Sequence, residues 1–189
     1  MIIRKALIKD VDPIAGCMVL AMEDIVYQFM GIKDQEQAVN LLKYFIVQKH
    51  NQYSYENCWV MEDDDEVVAA VNVYDGALLE ELRTPVREYI QTKFSKEFSP
   101  EDETSVGEYY IDTLGVNPDR QGKGIGSKLL TFLIEKYVNK RGETLGLLVD
   151  VANPTAKQLY LKLGFKVVGK QMLVGESMEH LQYNIVTGS

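Results

Sequence analysis

The residues best suited to chemistry lie in a glycine-rich loop between a predicted strand at 108–114 and a predicted helix that begins near residue 125. Turn residues at 117–119 lead into the loop. Glycine lets the backbone approach a ligand closely, and the unpaired N–H groups of a first helical turn bind anions. The pattern therefore predicts a phosphate or pyrophosphate site. Its residues are Gln121, Gly122, Lys123, Gly124, Ile125, Gly126 and Ser127.

The loop fits neither of two well-known phosphate-binding patterns. The Walker pattern G-x-x-x-x-G-K-[ST] is absent, and the glycines run G-x-G-x-G rather than the dinucleotide pattern G-x-G-x-x-G. The loop instead fits [QR]-x-x-G-x-[GA], and it follows a Leu-x-Val strand end. Arg120, Lys123 and Lys128 add positive charge around it in an otherwise acidic chain.

A second pattern lies downstream, where residues 153–165 fit N-x-x-A-x-x-[LF]-Y-x-x-x-G-F. The two patterns, in this order and at this separation, resemble the GNAT superfamily of coenzyme A-dependent N-acetyltransferases. The resemblance is specific over residues 108–168 and unspecific over the N-terminal half. It implies an α/β fold in one domain over 1–189, with a mixed sheet of about seven strands. Two parallel central strands would be splayed apart, with helices on both faces.

The resemblance also implies acetyl-coenzyme A as the co-substrate and an amine as the acceptor. Residues 121–127 would hold the pyrophosphate. The backbones of Leu114 and Val116 would bind the pantetheine arm as an added strand does. Asn153 would bind the same arm, and Tyr160 would face the sulfur. A strand bulge, which Gly115 permits, would accompany the splay.

Acetyl transfer from a thioester to an amine makes its own demands on the site. The carbonyl becomes an oxyanion, which a backbone N–H such as that of Leu114 can stabilise. The leaving thiolate needs a proton, which Tyr160 fits by type; the alternative is a tyrosine that only fills the core. The attacking ammonium must first lose a proton.

The residue that accepts this proton is open between two carboxylates. Strand alternation places Glu108, Tyr110 and Asp112 on one face. Some family members have a glutamate where this chain has Tyr110, so the role is predicted for Asp112 or Glu108, directly or through a water. A carboxylate needs a raised pKa for this task. Asp112 could instead orient a loop, and some family members have no dedicated base.

Composition limits the other possibilities. The chain has 189 residues, 20 basic and 28 acidic, for a net charge of −8, which argues against nucleic-acid binding. Cys17 and Cys58 are expected to be reduced, buried thiols, and no metal site is expected. The acidic turn at 62–66 lacks EF-hand spacing and is expected to be solvated. The apolar stretch at 11–29 contains three acidic residues, so we expect no signal peptide, no membrane span and a cytoplasmic protein.

The acceptor side is harder to read. In proteins of this kind the loop after the first helix commonly lines the acceptor pocket, so Tyr27, Phe29 and Met30 are candidates. Residues 76–107 form an insertion of roughly helical spacing interrupted by Pro85. It is either a lid or specificity element, or a surface helix that pads the sheet or contacts a second copy. A strand is predicted to begin at 165–170, followed by a last hairpin at 172–174 and 180–186. This hairpin and the insertion could support a homodimer.

Three functions remain open on the sequence. The first is transfer of an acetyl group to a primary amine of a small molecule or protein, by direct attack in a ternary complex. The second is transfer of another acyl group on the same fold. The third is a non-catalytic module that binds acyl-coenzyme A, which would require Tyr160 and the carboxylates to be structural.

Overall fold

The computed structural model describes residues 1–97 and 99–185, and this part of the chain contains one seven-stranded sheet. The strands lie in the order β1-β2-β3-β4-β5-β7-β6. β4 and β5 pair in parallel, and the other neighbours pair antiparallel. The strands are β1 Ile2–Lys5, β2 Cys58–Asp63, β3 Glu66–Asp75, β4 Tyr109–Val116, β5 Leu145–Asp150, β6 Lys166–Leu173 and β7 Glu176–Tyr183.

Helices cover both faces of the sheet, so the predicted α/β fold is confirmed. One core contains the apolar faces of α1 and α2, and the other contains those of α4 and α5. Val60 and Met61 are successive residues of β2 that point into these two cores, as strand alternation requires. The helices are α1 Val11–Met30, α2 Gln35–Ile46, α3 Leu79–Phe94, α4 Ile125–Leu133 with a wider turn at Ile134–Asn139, and α5 Pro154–Leu163.

Local signals in the sequence set three of the helix ends. Gly31 ends α1 in the left-handed conformation, with φ of 73°. Asp34 caps α2 by accepting a hydrogen bond from the Gln37 N–H at 3.0 Å. Asn153 caps α5 in the same way, accepting from the Ala156 N–H at 3.1 Å. These contacts involve neighbours in the chain, which is why the sequence alone indicates them.

Two predictions about the second half need correction. Pro85 does not interrupt the helical pattern, because α3 continues through it and buries Val86 and Ile90 in the first core. The predicted strand at 165–170 and the predicted hairpin arm at 172–174 form one strand, β6 Lys166–Leu173, and β7 runs over Glu176–Tyr183 rather than 180–186. Val186 lies outside the described residues.

The expectation that no stretch is long enough to cross a membrane also needs correction. Ile8–Met30 is helical, and by length and composition it qualifies as a candidate span. Half of its most apolar window is buried inside the fold, as in the core helix of a soluble protein. Ile14 and Val26, for example, are fully buried in the first core.

The splay of the two central strands begins at a bulge in β4. Ile111 pairs with Val73 of β3 and Thr113 pairs with Asn72, so Asp112 is one extra residue. The parallel pairing with β5 stops at Ile111. The sequence predicts the bulge at Gly115, which is wrong. Gly115 instead allows α1 to pack on β4, because a Cβ there would lie 2.1 Å from the Cys17 carbonyl oxygen.

Candidate functional site

A cavity of about 1070 Å³ opens beside the splayed strands. β4 contributes Tyr110, Asp112 and Leu114 to its wall, β5 contributes Asp150, and α5 contributes Tyr160. The second half of α1, the insertion and the β6–β7 hairpin complete the wall. The splay therefore brings residues from distant parts of the chain to one space.

The bulge turns the backbone of β4 toward the gap between β4 and β5. The N–H of Tyr109 points toward β5 and donates a hydrogen bond there. The N–H of Asn117 points the other way and donates to the oxygen of Val68 in β3, at 2.9 Å. The N–H groups of odd-numbered residues in β4 therefore point toward β5 before the bulge and toward β3 after it, because one extra residue shifts the alternation. Leu114 and Val116 consequently direct their N–H groups to the gap, where β5 no longer pairs.

The glycine loop follows directly after β4, outside the residues that line the cavity. Gly122 and Gly124 have φ of 74° and 73°, a left-handed conformation that favours glycine, and a Cβ at either would have no atom within 4 Å. The first backbone hydrogen bond of α4 runs from Lys128 N–H to Gly124 oxygen, at 3.1 Å. The N–H groups of Ile125, Gly126 and Ser127 therefore lie outside the helical pattern.

Side chains around the loop divide into fixed and exposed ones. Arg120 is held by an ion pair with Asp63, at 3.2 Å. Gln121 donates its amide Nε2 to the Val116 carbonyl, at 3.1 Å, and so ties the loop to the end of β4. Lys123 is exposed and its ammonium donates to a backbone oxygen in the same turn. The side chain of Gln121 thus shapes the loop, and Lys123 supplies charge at its rim.

Tyr160 and Asn153 line the cavity from the α5 side. Burial raises the pKa of the Tyr160 phenol to about 12, so it keeps its proton at neutral pH. The Tyr160 ring also meets Phe165 edge-on, with centroids 5.9 Å apart. The helix cap uses the Oδ1 atom of Asn153, so the amide nitrogen can donate to a ligand. One side chain can therefore serve both as a cap and as a ligand contact.

Asp112 lies in the cavity wall and has the environment that a catalytic base requires. Its Oδ2 accepts a hydrogen bond from Asn72 Nδ2 at 3.2 Å. Burial raises its pKa well above the usual range, and the negative charge of Glu103 raises it further. The bulge is the reason that Asp112 reaches the cavity, because the extra residue carries this side chain.

The structure places Glu108 elsewhere, outside the cavity wall. It is buried behind β5, where a Cβ on Gly146 would meet its carboxylate. Its carboxylate is engaged by Thr104 at 2.7 Å, His180 at 2.9 Å and Gln182 at 2.7 Å. Burial alone would raise its pKa, but these three contacts leave the pKa lowered. The predicted shared face therefore holds for Tyr110 and Asp112, and the arrangement around Glu108 is structural.

A buried polar cluster beside Asp112 is absent from the sequence prediction. We name it the Glu103 cluster; its members are Gln52, Tyr74, Arg83 and Glu103. Glu103 accepts from the Tyr74 hydroxyl at 2.9 Å and from Arg83 at 2.8 Å, and also from Gln52. No motif marks these positions, since Glu103 follows two other acidic residues in a polar loop. The signal is burial, which depends on the tertiary structure.

Two of the three acceptor-side candidates line the cavity. Tyr27 and Phe29 line the cavity, whereas Met30 packs into the first core. The Tyr27 hydroxyl donates to Glu23 at 2.6 Å, and this contact raises the Tyr27 pKa to about 12. The insertion also reaches the wall, through Lys96 and Glu103 among others. Both predicted roles of the insertion thus have support, because α3 also buries Val86 and Ile90 in the first core.

Comparison with known proteins agrees with this geometry. The model of the acetyltransferase (GNAT) family matches residues 21–165. The N-alpha-acetyltransferase RimI of Mycobacterium tuberculosis is 42% identical over 62 residues, which is 33% of this chain and 37% of that protein. The chain thus spans little more than a third of the length of that curated relative.

Solved structures cover the whole fold. The N-acetyltransferase from Staphylococcus aureus Mu50 has a TM-score of 0.84 at 23% identity, covering 97% of this chain and 100% of its own. A second structure, described as an acetyltransferase, has a TM-score of 0.77 at 31% identity, covering 97% of this chain and 99% of its own. The family match over most of the chain, on this fold, shows that the chain belongs to the GNAT acetyltransferase family, which uses acetyl-coenzyme A as co-substrate.

Proposed function

We propose that this protein is an N-acetyltransferase that moves the acetyl group of acetyl-coenzyme A to a primary amine, by direct attack in a ternary complex. The observation that carries the proposal is the position of Leu114, Asp112 and Tyr160 around one cavity, beside a gap in the sheet. These three residues supply an oxyanion donor, a base and an acid. A module that only binds acyl-coenzyme A has no need for that combination.

The co-substrate would lie along the gap. The N–H groups of residues 125–127 bind the pyrophosphate, with Gly122 and Gly124 giving the phosphates close access to the backbone. The pantetheine arm extends along Leu114 and Val116 as an added strand. The amide nitrogen of Asn153 donates to the arm from the other side. This arrangement directs the thioester toward the cavity.

The transfer consists of proton transfers and bond changes that together balance. Asp112 takes a proton from the ammonium of the acceptor, and its raised pKa makes it a stronger base than an ordinary carboxylate. The nitrogen forms a bond to the thioester carbon, and the Leu114 N–H stabilises the oxyanion. The carbon–sulfur bond breaks, and the Tyr160 phenol gives its proton to the departing sulfur. The Tyr160 phenolate then takes the second proton from the nitrogen as the amide forms, and Asp112 releases its proton to solvent.

The acceptor is an amine of a small molecule or protein, entering between the end of α1 and the insertion. The glycine loop and the β4 backbone contact no part of the acyl group beyond its carbonyl, so transfer of another acyl group stays the alternative. Competition between acyl chain lengths in a thiol-release assay would separate the two. The cytoplasmic location and the homodimer stay predictions from the sequence; sedimentation of the pure protein would test the dimer.

Isothermal titration with acetyl-coenzyme A tests the proposal at its first step. Gly124→Glu places a carboxylate in the phosphate cradle, so we expect binding in the wild type and its loss in this variant. Gly142→Glu is a matched control, because Gly142 also has a left-handed φ, of 71°, with no atom within 4 Å of an added Cβ. We expect this control to bind normally. A folded wild type that does not bind acetyl-coenzyme A would refute the function.

A further inference from the structure

The Glu103 cluster connects the insertion to the proposed base. Glu103 and Arg83 come from the insertion and pair at 2.8 Å, with Glu103 only 6% exposed and Arg83 only 3%. Arg83 also pairs with Asp102 at 2.8 Å, at the exposed end of the cluster. A buried ion pair needs further hydrogen bonds to offset its desolvation. Tyr74 and Gln52 donate these bonds to the same carboxylate.

Gln52 and Asn72 connect the two carboxylates. The Gln52 side chain donates to Glu103. The Gln52 backbone oxygen accepts from Asn72 Nδ2 at 2.9 Å, and the Asn72 amide nitrogen also donates to Asp112 at 3.2 Å. Gln52, Arg83, Glu103 and Asp112 all line the one cavity. The cluster is thus continuous from the insertion to the reacting end of the site.

We propose that Glu103 is a positioning residue for acyl transfer, whose negative charge acts on Asp112 across the contacts of Gln52 and Asn72. The inference rests on the proposed function, in which Asp112 is the base. Two carboxylates connected in this way in a buried site repel each other, and this repulsion favours a proton on one of them. Burial raises the pKa of Glu103 as well, but the Arg83 charge opposes this rise, so Glu103 ionises first and the proton stays on Asp112. The insertion would therefore supply the charge that makes a strand aspartate a useful base.

Other ionisable groups around Asp112 do not replace this effect. Those that face it from the surrounding elements are Glu103 and Arg83 from the insertion, Tyr53, Cys58 of β2, Tyr74 of β3 and Tyr110 of β4. Burial raises the pKa of each tyrosine and of Cys58, so all four are neutral at physiological pH. Glu103 is the negative charge in this set, and Arg83 the positive one.

The test is a direct titration of Asp112 by NMR in protein labelled with ¹³C at the aspartate carboxyl carbons. The signal is assigned by its loss in Asp112→Asn. In Glu103→Gln we expect the titration midpoint of Asp112 to fall by about one pH unit or more, because the like charge is removed. An unchanged midpoint overturns the proposal. The measurement needs neither co-substrate nor acceptor.

Two further variants separate charge from structure. Gln52→Met keeps both carboxylates but removes a polar side chain that favours the ionised form of Asp112, so we expect the midpoint to rise. This opposite shift keeps the proposal testable if Glu103→Gln does not fold, and a midpoint that stays in place overturns it. Glu101→Gln is the matched control, because Glu101 lies in the same loop but contacts the Val174 N–H instead. We expect no shift there, and a shift equal to that of Glu103→Gln would also overturn the proposal.

The pH dependence of the acetyl-transfer rate then tests whether the effect of Glu103 on Asp112 matters for catalysis. In the wild type, the rate of acetyl transfer to an accepted amine should rise with pH through the Asp112 midpoint. In Glu103→Gln the rising part of the pH–rate profile should move to lower pH together with the NMR midpoint of Asp112. A pH–rate profile that does not move overturns the proposal. The proposed function fails on a separate result, the absence of acetyl-coenzyme A binding by the wild type. The two failures are therefore distinguishable.

Discussion

Gly115→Ala is the perturbation whose effect the structure defines most closely. An added Cβ would lie 2.1 Å from the Cys17 oxygen and 2.6 Å from its carbonyl carbon. Ordinary contact begins at 3.4 Å, so α1 and β4 would have to separate by about 1.3 Å (3.4 − 2.1). Both opposing atoms belong to the backbone, and no side-chain rotation relieves the clash.

Overpacking of this kind costs about 1–3 kcal/mol, and a clash with backbone belongs at the upper end, about 3 kcal/mol. One kcal/mol moves the melting temperature of a chain of this size by roughly 2–4 °C. We therefore expect a decrease of roughly 6–12 °C in thermal melts followed by circular dichroism. Because Gly115 lies between Leu114 and Val116, we also expect acetyl-coenzyme A binding to weaken by about tenfold, or about 1.4 kcal/mol.

Gly16→Ala is the control, in the helix that packs against Gly115. Gly16 has no atom within 4 Å of an added Cβ, so alanine there should stabilise the helix by about 0.5–1 kcal/mol. The two substitutions are chemically identical, yet they should shift the melting temperature in opposite directions. A Gly115→Ala protein as stable as the wild type would refute the close packing of α1 on β4.

Three further predictions concern the site. Tyr160→Phe should lower kcat about 100-fold without changing the affinity for acetyl-coenzyme A in titration calorimetry, because only the proton donor is lost; an unchanged kcat would remove its role as acid. Asp112→Asn should raise the melting temperature at pH 8 but not at pH 4. Burial and the charge of Glu103 raise the pKa of Asp112 in the folded state, so the wild type loses stability as the pH rises from the unfolded-state pKa of about 3.9. A lower melting temperature of the variant at pH 8 would contradict this. Glu108→Gln should lower the melting temperature at pH 8 but not at pH 4. The lowered pKa of Glu108 in the folded state stabilises the wild type above the unfolded-state pKa of about 4.3, and this stability is lost on acidification. The substitution should cost about 1–3 kcal/mol at pH 7 while acetyl-coenzyme A still binds, and loss of that binding in a folded variant would return Glu108 to the site.

The sequence by itself determined the features that depend on neighbouring residues. The glycines at 122 and 124, and the caps at Asp34 and Asn153, all act within a few positions of the chain, so their patterns are readable without a structure. The fold class and the co-substrate were predicted from the resemblance to the GNAT superfamily, which rests on the local patterns at 121–126 and 153–165.

Only the tertiary structure decided which carboxylates meet in the site. Alternation on one strand treats Glu108 and Asp112 alike, but a one-residue bulge set by pairing with β3 carries Asp112 to the cavity. Glu108 meets His180 and Gln182 of β7 instead. Glu103 looks like any acid of a polar loop until packing buries it. Register and burial arise from contacts between residues far apart in the chain, and no local pattern encodes them.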